Sequence, residues 1–134
     1  MEDIIESIPK TMEKFLGCAG QMVKPSPDTV EALVGQVKKG KLATISQLRE
    51  KIARDFNVDT ACPAATLKAL QLVSKKEQAK CFWRIVKEKG ELISKFPNGV
   101  EGHAELLQSE GHKIDFSKKV PVVAGYESKL SKFA

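Results

Sequence analysis

Helix-end signals set close together constrain this chain more than any other feature. In "SPDTVEALVGQVKKG", Ser26 reads as an N-cap with Pro27 at the first helical position. Val30, Leu33, Val34 and Val37 then form one apolar stripe that ends before Gly40. "TISQLREKIARDFN" opens with Thr44 and Gln47 at capping-box spacing, and Leu48, Ile52 and Phe56 recur every four residues. "VDTACPAATLKALQLVSKK" turns over residues 58 to 62, restarts at Pro63 and carries Leu67, Leu70 and Val73 on one side. Three short helices with tight connections follow the pattern of a helix-turn-helix, with the third as the candidate recognition helix.

Downstream, "FWRIVKEKGELISKF" holds two β-prone runs around a charged turn that ends in Gly90, which predicts a hairpin placed as a wing. A last helix is expected to start at Asn98, with Glu101 three residues on, and to stop at Gly111. Upstream, Ile4, Ile5 and Ile8, then Met12, Phe15 and Leu16, give a short helical pattern over residues 2 to 18, and the glycines and prolines of "GCAGQMVKPSP" read as a linker. The expected fold is therefore mainly α with a small β-hairpin, a winged helix-turn-helix. Residues 1 to 24 form an N-terminal helical extension and linker, and residues 25 to 134 the domain with its C-terminal tail.

The 134 residues are enough for one domain with a real core, and 42% hydrophobic with 29% charged residues is the balance of a globular protein. "MEDIIESIPK" lacks a basic stretch followed by an apolar core, and no apolar run approaches a membrane span, so a cytoplasmic protein with no membrane partner is expected. Cys18, Cys62 and Cys81 are odd in number and widely spaced, which supports neither a disulfide framework nor a zinc site. His103 and His112 have no ligand-spaced partners and read as surface or helix-end residues, and no cofactor is implied.

The net charge of +5 is unevenly spread: residues 38 to 95 hold fourteen Lys and Arg against six Asp and Glu. Such an excess is either a solvated lysine surface or a polyanion-binding face. Lys68, Lys75, Lys76, Lys80, Lys87 and Lys89 fall on the expected recognition helix, the loop after it and the wing. Those are the parts of a winged helix that meet duplex phosphates.

The run "PDTVEALVGQVKKGKLATISQLREKIA", the Pro63 helix and "WRIVKEKGELISKFPNGVEGHAELLQSEGH" together resemble the C-terminal winged-helix domain of the alkylguanine DNA alkyltransferases and alkyltransferase-like proteins, over residues 27 to 112. In the alkyltransferases a Pro-Cys-His-Arg motif carries the alkyl acceptor, a thiolate activated through histidine. Aligned on Arg84, that motif puts Cys81 at the proline, Phe82 at the cysteine and Trp83 at the histidine. The resemblance implies a member of the non-catalytic branch, in which an aromatic residue replaces the acceptor. Other departures are Ile45 at the family's nucleotide-rotating tyrosine and the lack of an arginine on the recognition helix, where Thr66 or Lys68 stands nearby.

The expectation is thus a DNA-binding protein without catalysis, one that recognises alkylated or distorted bases, with double-stranded DNA and repair proteins as partners and no small-molecule substrate. The alternative is a degenerate winged helix serving as a protein-interaction or regulatory module. Phe82 and Trp83 either stack on an unstacked base or belong to the core of the wing strand. Arg84 either binds phosphate or holds its loop through backbone carbonyls, the structural role being the one the family implies.

Overall fold

Each of the three closely spaced helix starts is used. The computed structural model describes residues 2–79 and 81–133, which run β1 (Ile4–Ser7), α1 (Lys10–Leu16), β2 (Gln21–Lys24), α2 (Pro27–Val34), β3 (Ala43–Thr44), α3 (Ile45–Phe56), β4 (Thr60–Ala61), α4 (Pro63–Ser74), β5 (Ile85–Val86), α5 (Gly99–Ser109), β6 (Ile114–Asp115) and β7 (Val122–Val123). Among the described residues this is a mixed α/β fold with five α-helices and small sheets.

The Ser26 hydroxyl accepts from the Thr29 N–H, and Asp3 accepts from both the Ser26 N–H at 2.7 Å and the Thr29 hydroxyl at 2.8 Å. The capping box closes both ways: Gln47 N–H donates to Thr44 Oγ1, and Thr44 N–H donates to Gln47 Oε1. Helix α5 begins after Asn98 as expected, but Asn98 is left-handed (φ 64°) and makes no side-chain cap. A capping side chain needs extended backbone at that position to reach back over the first turn.

The main core joins Val30, Leu33 and Val34 of α2, Leu48 and Ile52 of α3, and Ala69, Leu70 and Val73 of α4 with Ile85, Ile93 and Phe96. A second cluster gathers Leu42, Val86, Leu92, Ala104, Leu107 and Val123.

Three expectations are corrected. The N-terminal piece is not a helical extension on a linker: only Lys10–Leu16 is helical, and the assumed linker contains β2, the middle strand of a sheet ordered β1-β2-β4. Strand alternation sends Val23 into the main core and Met22 to a small cluster with Ile8 and Cys62. Second, the wing hairpin does not form. Strand β5 pairs in parallel with β3, Ala43 to Ile85 and Thr44 to Val86, while the second β-prone run accepts one bond, from the Lys87 N–H to the Glu91 carbonyl at 2.9 Å, and then spends its backbone elsewhere. Its Leu92 N–H goes to the Pro121 carbonyl and its Ile93 N–H to the His103 ring. Third, the tail after His112, whose sequence suggests one short extended run and a terminal turn of helix, forms an antiparallel β6–β7 pair, and Leu130 then bridges Leu42 in parallel.

Gln47 does more than cap α3, because its Nε2 donates to the Ser131 carbonyl at 2.9 Å and so ties α3 to the C-terminal segment. Gln47→Ala is expected to lower the unfolding free energy by about 1–3 kcal/mol, since it leaves two backbone groups unpaired. Chemical denaturation beside wild type measures this, and a change below about 0.5 kcal/mol would show the link to be idle.

Candidate nucleic-acid interface

The stretch from Cys81 to Val86 turns before it extends. Cys81 is left-handed (φ 64°), Phe82–Arg84 makes one 3-10 turn, and only Ile85–Val86 is strand. Phe82 and Trp83 therefore do not alternate across a wing strand. Phe82 is buried, 6% exposed, with its ring edge-on to Trp83 at 5.2 Å and to Phe96 at 4.9 Å. Phe96 in turn stands edge-on to the His103 ring at 4.8 Å. Trp83 is half-buried and touches both core clusters, so it joins them.

Both histidines are buried and not at the surface as expected; His103 lies within α5, whereas His112 does stand at the helix end, where its N–H donates to the Leu107 carbonyl. His103 is fully buried. The Ile93 N–H donates to its Nδ1 at 3.0 Å, which places the ring proton on Nε2, where it donates to the Trp83 carbonyl at 2.7 Å. Burial pushes its pKa down to about 4, and the Trp83 carbonyl only partly offsets this. The signal missed in the sequence was position: His103 follows Gly102 and precedes Ala104 on the inner side of α5, where all three are buried.

Arg84 is a joint. Its guanidinium makes a two-pronged contact with Glu110, Nη2 to Oε2 at 2.6 Å and Nε to Oε1 at 3.1 Å, and Nη1 donates to the Val37 carbonyl at 2.7 Å. The side chains are only 12% and 5% exposed. Burial pushes the Glu110 carboxyl up, but Arg84 together with the nearby Trp83 indole N–H and His112 outweighs it and holds Glu110 below the usual carboxylate range. The indole N–H is buried and lacks the geometry of a full hydrogen bond.

The lysines are divided. Lys68 is exposed on α4, and Lys75 and Lys76 are exposed at its end. Lys76 is engaged by Glu31 at 3.0 Å and Asp28 at 3.8 Å, partners on α2 that the sequence reading did not foresee. Lys89 is exposed and left-handed (φ 63°) in the turn after β5, and Lys87 is half-buried at its start. Lys80 lies outside the described residues.

A groove of about 330 Å³ brings the start of α3 (Ile45, Ser46), the start of α4 (Pro63, Leu67) and that turn together. Lys87 lines it with Glu88, Glu91 and Arg49, a residue the sequence reading passed over. Arg49 is aimed by two bonds, Nε to the Ala61 carbonyl at 2.9 Å and Nη2 to Thr60 Oγ1 at 3.2 Å. No local signal in the sequence marks it, since both partners belong to β4. Glu88 accepts the Ser46 N–H at 3.3 Å and so meets the positive end of α3. With cations, carboxylates and an apolar floor, the groove can take a flat group bearing both hydrogen-bond donors and acceptors. Lys68 instead borders a separate groove of about 340 Å³, formed by α4 with Glu2, Ile4 and Lys24. Among the described residues no three His, Cys, Asp or Glu side chains are grouped to hold a metal, and no helix is long and apolar enough to cross a membrane.

No family model matches the chain, and no curated protein sequence matches it. Its fold is similar to that of Atl1 from S. pombe, solved as a crystal structure in complex with damaged DNA containing O6-carboxymethylguanine. The TM-score is 0.59 at 15% sequence identity, over 80% of this chain and 94% of that one. At that identity the likeness is one of fold.

The buried His103 makes stability depend on pH. The unfolded chain takes up this proton near pH 6.5, whereas the folded protein resists it down to about 4. Between those values the unfolded state binds more protons, so stability falls as pH falls, by roughly 3 kcal/mol across the window. His112, also pushed down by burial, acts in the same direction. Denaturant titrations at pH 7 and pH 4.5 measure the loss, and His103→Gln should flatten most of it.

Proposed function

We propose that the chain binds duplex DNA without chemical turnover and reads alkylated or otherwise distorted bases. The observation that carries this reading is the convergence of Arg49 and Lys87 on one groove at the starts of α3 and α4, in a fold shared with a protein solved on damaged DNA. Helices α3 and α4 act as a helix-turn-helix, and the turn after β5 stands where a wing would. Lys68, Lys75, Lys87 and Lys89 meet phosphates, while Lys76 contributes less because two carboxylates already hold it. Arg84 positions the turn that carries Phe82 and Trp83. Phe82 is part of the core, enclosed by Trp83 and Phe96, and neither ring lines the α3–α4 groove.

The absence of transfer chemistry rests on the residues around Cys81. The acceptor position of the resembled motif holds Phe82, and both ring nitrogens of His103 are committed to the backbone. A thiol nucleophile needs a neighbouring base or cation to form its thiolate, and the cation beside Cys81, Arg84, is bound to Glu110. Incubation with alkylguanine DNA should leave the intact mass unchanged. A stoichiometric adduct on Cys81 would return the protein to the enzyme class.

Affinity for duplex DNA should fall with salt, with a log–log slope of about −0.9 per phosphate neutralised. Matched plain and O6-alkylguanine duplexes test recognition directly: Lys87→Glu should weaken both, and equal affinity of wild type for the two duplexes would remove the lesion-reading part of the proposal. Phe82→Ala should lower stability by about 3–5 kcal/mol and weaken binding to both duplexes together. A stable Phe82→Ala variant with selectively reduced lesion affinity would mean that the ring stacks on a base instead.

A protein-interaction role is favoured by one feature of the N-terminal segment. Ile4, Ile5 and Phe15, the last 78% exposed, put large apolar side chains on its surface, beside the groove that Ile4 helps to line. If duplex binding is absent even at low salt, that reading replaces the first.

A further inference from the structure

A further group of cations lines no part of the α3–α4 groove. Leu42 N–H donates to the Lys129 carbonyl at 2.9 Å, and Ser131 N–H donates to the Leu42 carbonyl at 2.8 Å. This parallel bridge pairs Leu42 with Leu130 and brings together the segments that carry Lys41 and Lys129, the latter the last residue of the 3-10 turn Tyr126–Lys129. Both lysines are exposed. The Lys41 N–H closes a turn onto the Lys38 carbonyl, which folds Lys38 and Lys39 back beside them. Lys132 follows on the C-terminal segment.

None of these five lysines belongs to an ion pair among the described residues, where the pairs formed involve Lys24, Lys51, Lys76 and Arg84. Cations gathered on two segments that the backbone holds together raise the local positive potential, which an anion laid over them offsets.

We infer that the surface formed by residues 38–41 and 129–132 is a second nucleic-acid contact, one that takes the sugar-phosphate backbone without reading bases. The chemistry favours phosphates over an acidic protein segment. The patch contains only lysine point charges, and the large exposed apolar side chains, Ile4, Ile5, Phe15 and Phe116, all lie on other segments. Phe133, the one aromatic residue at its edge, packs against the main core. A protein partner would need an apolar or aromatic anchor to bind there. A phosphate backbone needs only closely spaced cations that release its counterions. This inference does not rest on the reading of the α3–α4 groove.

The test uses the full chain, a plain duplex of about 20 base pairs in a salt series, and a poly-glutamate peptide as the acidic-protein probe. Lys41→Glu with Lys129→Glu should reduce the magnitude of the salt slope by about 2 and weaken low-salt binding roughly tenfold or more. Lys75→Glu with Lys87→Glu should reduce the slope separately, leaving residual binding that the first pair of changes removes. The single change Lys129→Glu should weaken duplex binding without lowering the melting temperature, since this side chain is exposed. Lys41→Gln with Lys129→Gln removes charge without reversing it, and should weaken duplex binding with no loss of thermal stability.

An unchanged slope in both the Glu and Gln variants overturns the inference while leaving the groove reading intact. Loss confined to the Lys41 and Lys129 variants sustains the inference and overturns the groove reading. Binding of poly-glutamate that these variants abolish, with duplex binding intact, overturns it in favour of an acidic protein partner.

Discussion

The buried contact between Arg84 and Glu110 fixes the part of the molecule on which the site depends. It joins three separate pieces: the 3-10 turn that carries Phe82 and Trp83, the end of α5 through Glu110, and the loop after α2 through the Val37 carbonyl. Two charges taken out of water are costly, and their attraction offsets that cost only when the geometry is good and the remaining donors are satisfied. Here the fork of the guanidinium meets both carboxylate oxygens, and a third nitrogen finds a carbonyl, so that condition is met. Removal of either partner would leave an uncompensated buried charge, an effect of about 3–5 kcal/mol. The same geometry makes Arg84 unsuited to phosphate, because its nitrogens are turned inward.

His103 holds that turn from the opposite side. Its acceptor nitrogen takes the Ile93 N–H and its donor nitrogen supports the Trp83 carbonyl, so the ring closes two backbone groups that lie on either side of the Lys87–Glu91 turn. The wing expected from sequence fails for the same reason, since a strand returning from that turn would need the Ile93 N–H for its ladder. One buried imidazole thus replaces a hairpin hydrogen bond and sets the turn's orientation over the groove. The requirement for a neutral ring follows directly, because protonated Nδ1 could not accept from Ile93.

What the sequence made legible were the features whose partners lie within a few residues. The Ser26 cap, the Thr44–Gln47 capping box and the Pro63 start all depend on contacts one turn away, and all appear at the expected positions. What it concealed depends on distant partners. Strand β3 is two residues long and pairs with β5 across the whole of α3 and α4, and no local pattern marks such a pair. In β2, Met22 and Val23 are both buried because the strand is covered on both faces, so the half-polar alternation that marks an exposed strand is missing. Lys76 looked like a free phosphate ligand because Asp28 and Glu31 are remote in sequence and near in space. The placement of the basic helix pair and the structural role of Arg84 were readable, whereas Arg49 was not, since its aim comes from Thr60 and Ala61 across the turn.

Charge shows the same division between sequence and space. The excess over residues 38 to 95 looked like one basic face, but folding takes Arg84 inward, pairs Lys51 with Asp55 and pairs Lys76 with α2. Of the other cations, Lys68, Lys75, Lys87 and Lys89 lie around α4 and the turn after β5, and Lys38, Lys39 and Lys41 form a second group just before β3. The second group gains its neighbours from a segment whose formal charge is zero: residues 96 to 134 hold five lysines and five acids. Counted along the chain, that segment contributes nothing. In the fold, the Leu42–Leu130 bridge brings the segment of Lys129 to the segment of Lys41, while Glu110, one of the five acids, is committed to Arg84. A balanced stretch of sequence therefore sharpens a basic surface, because backbone pairing, and not composition, decides which charges share a face.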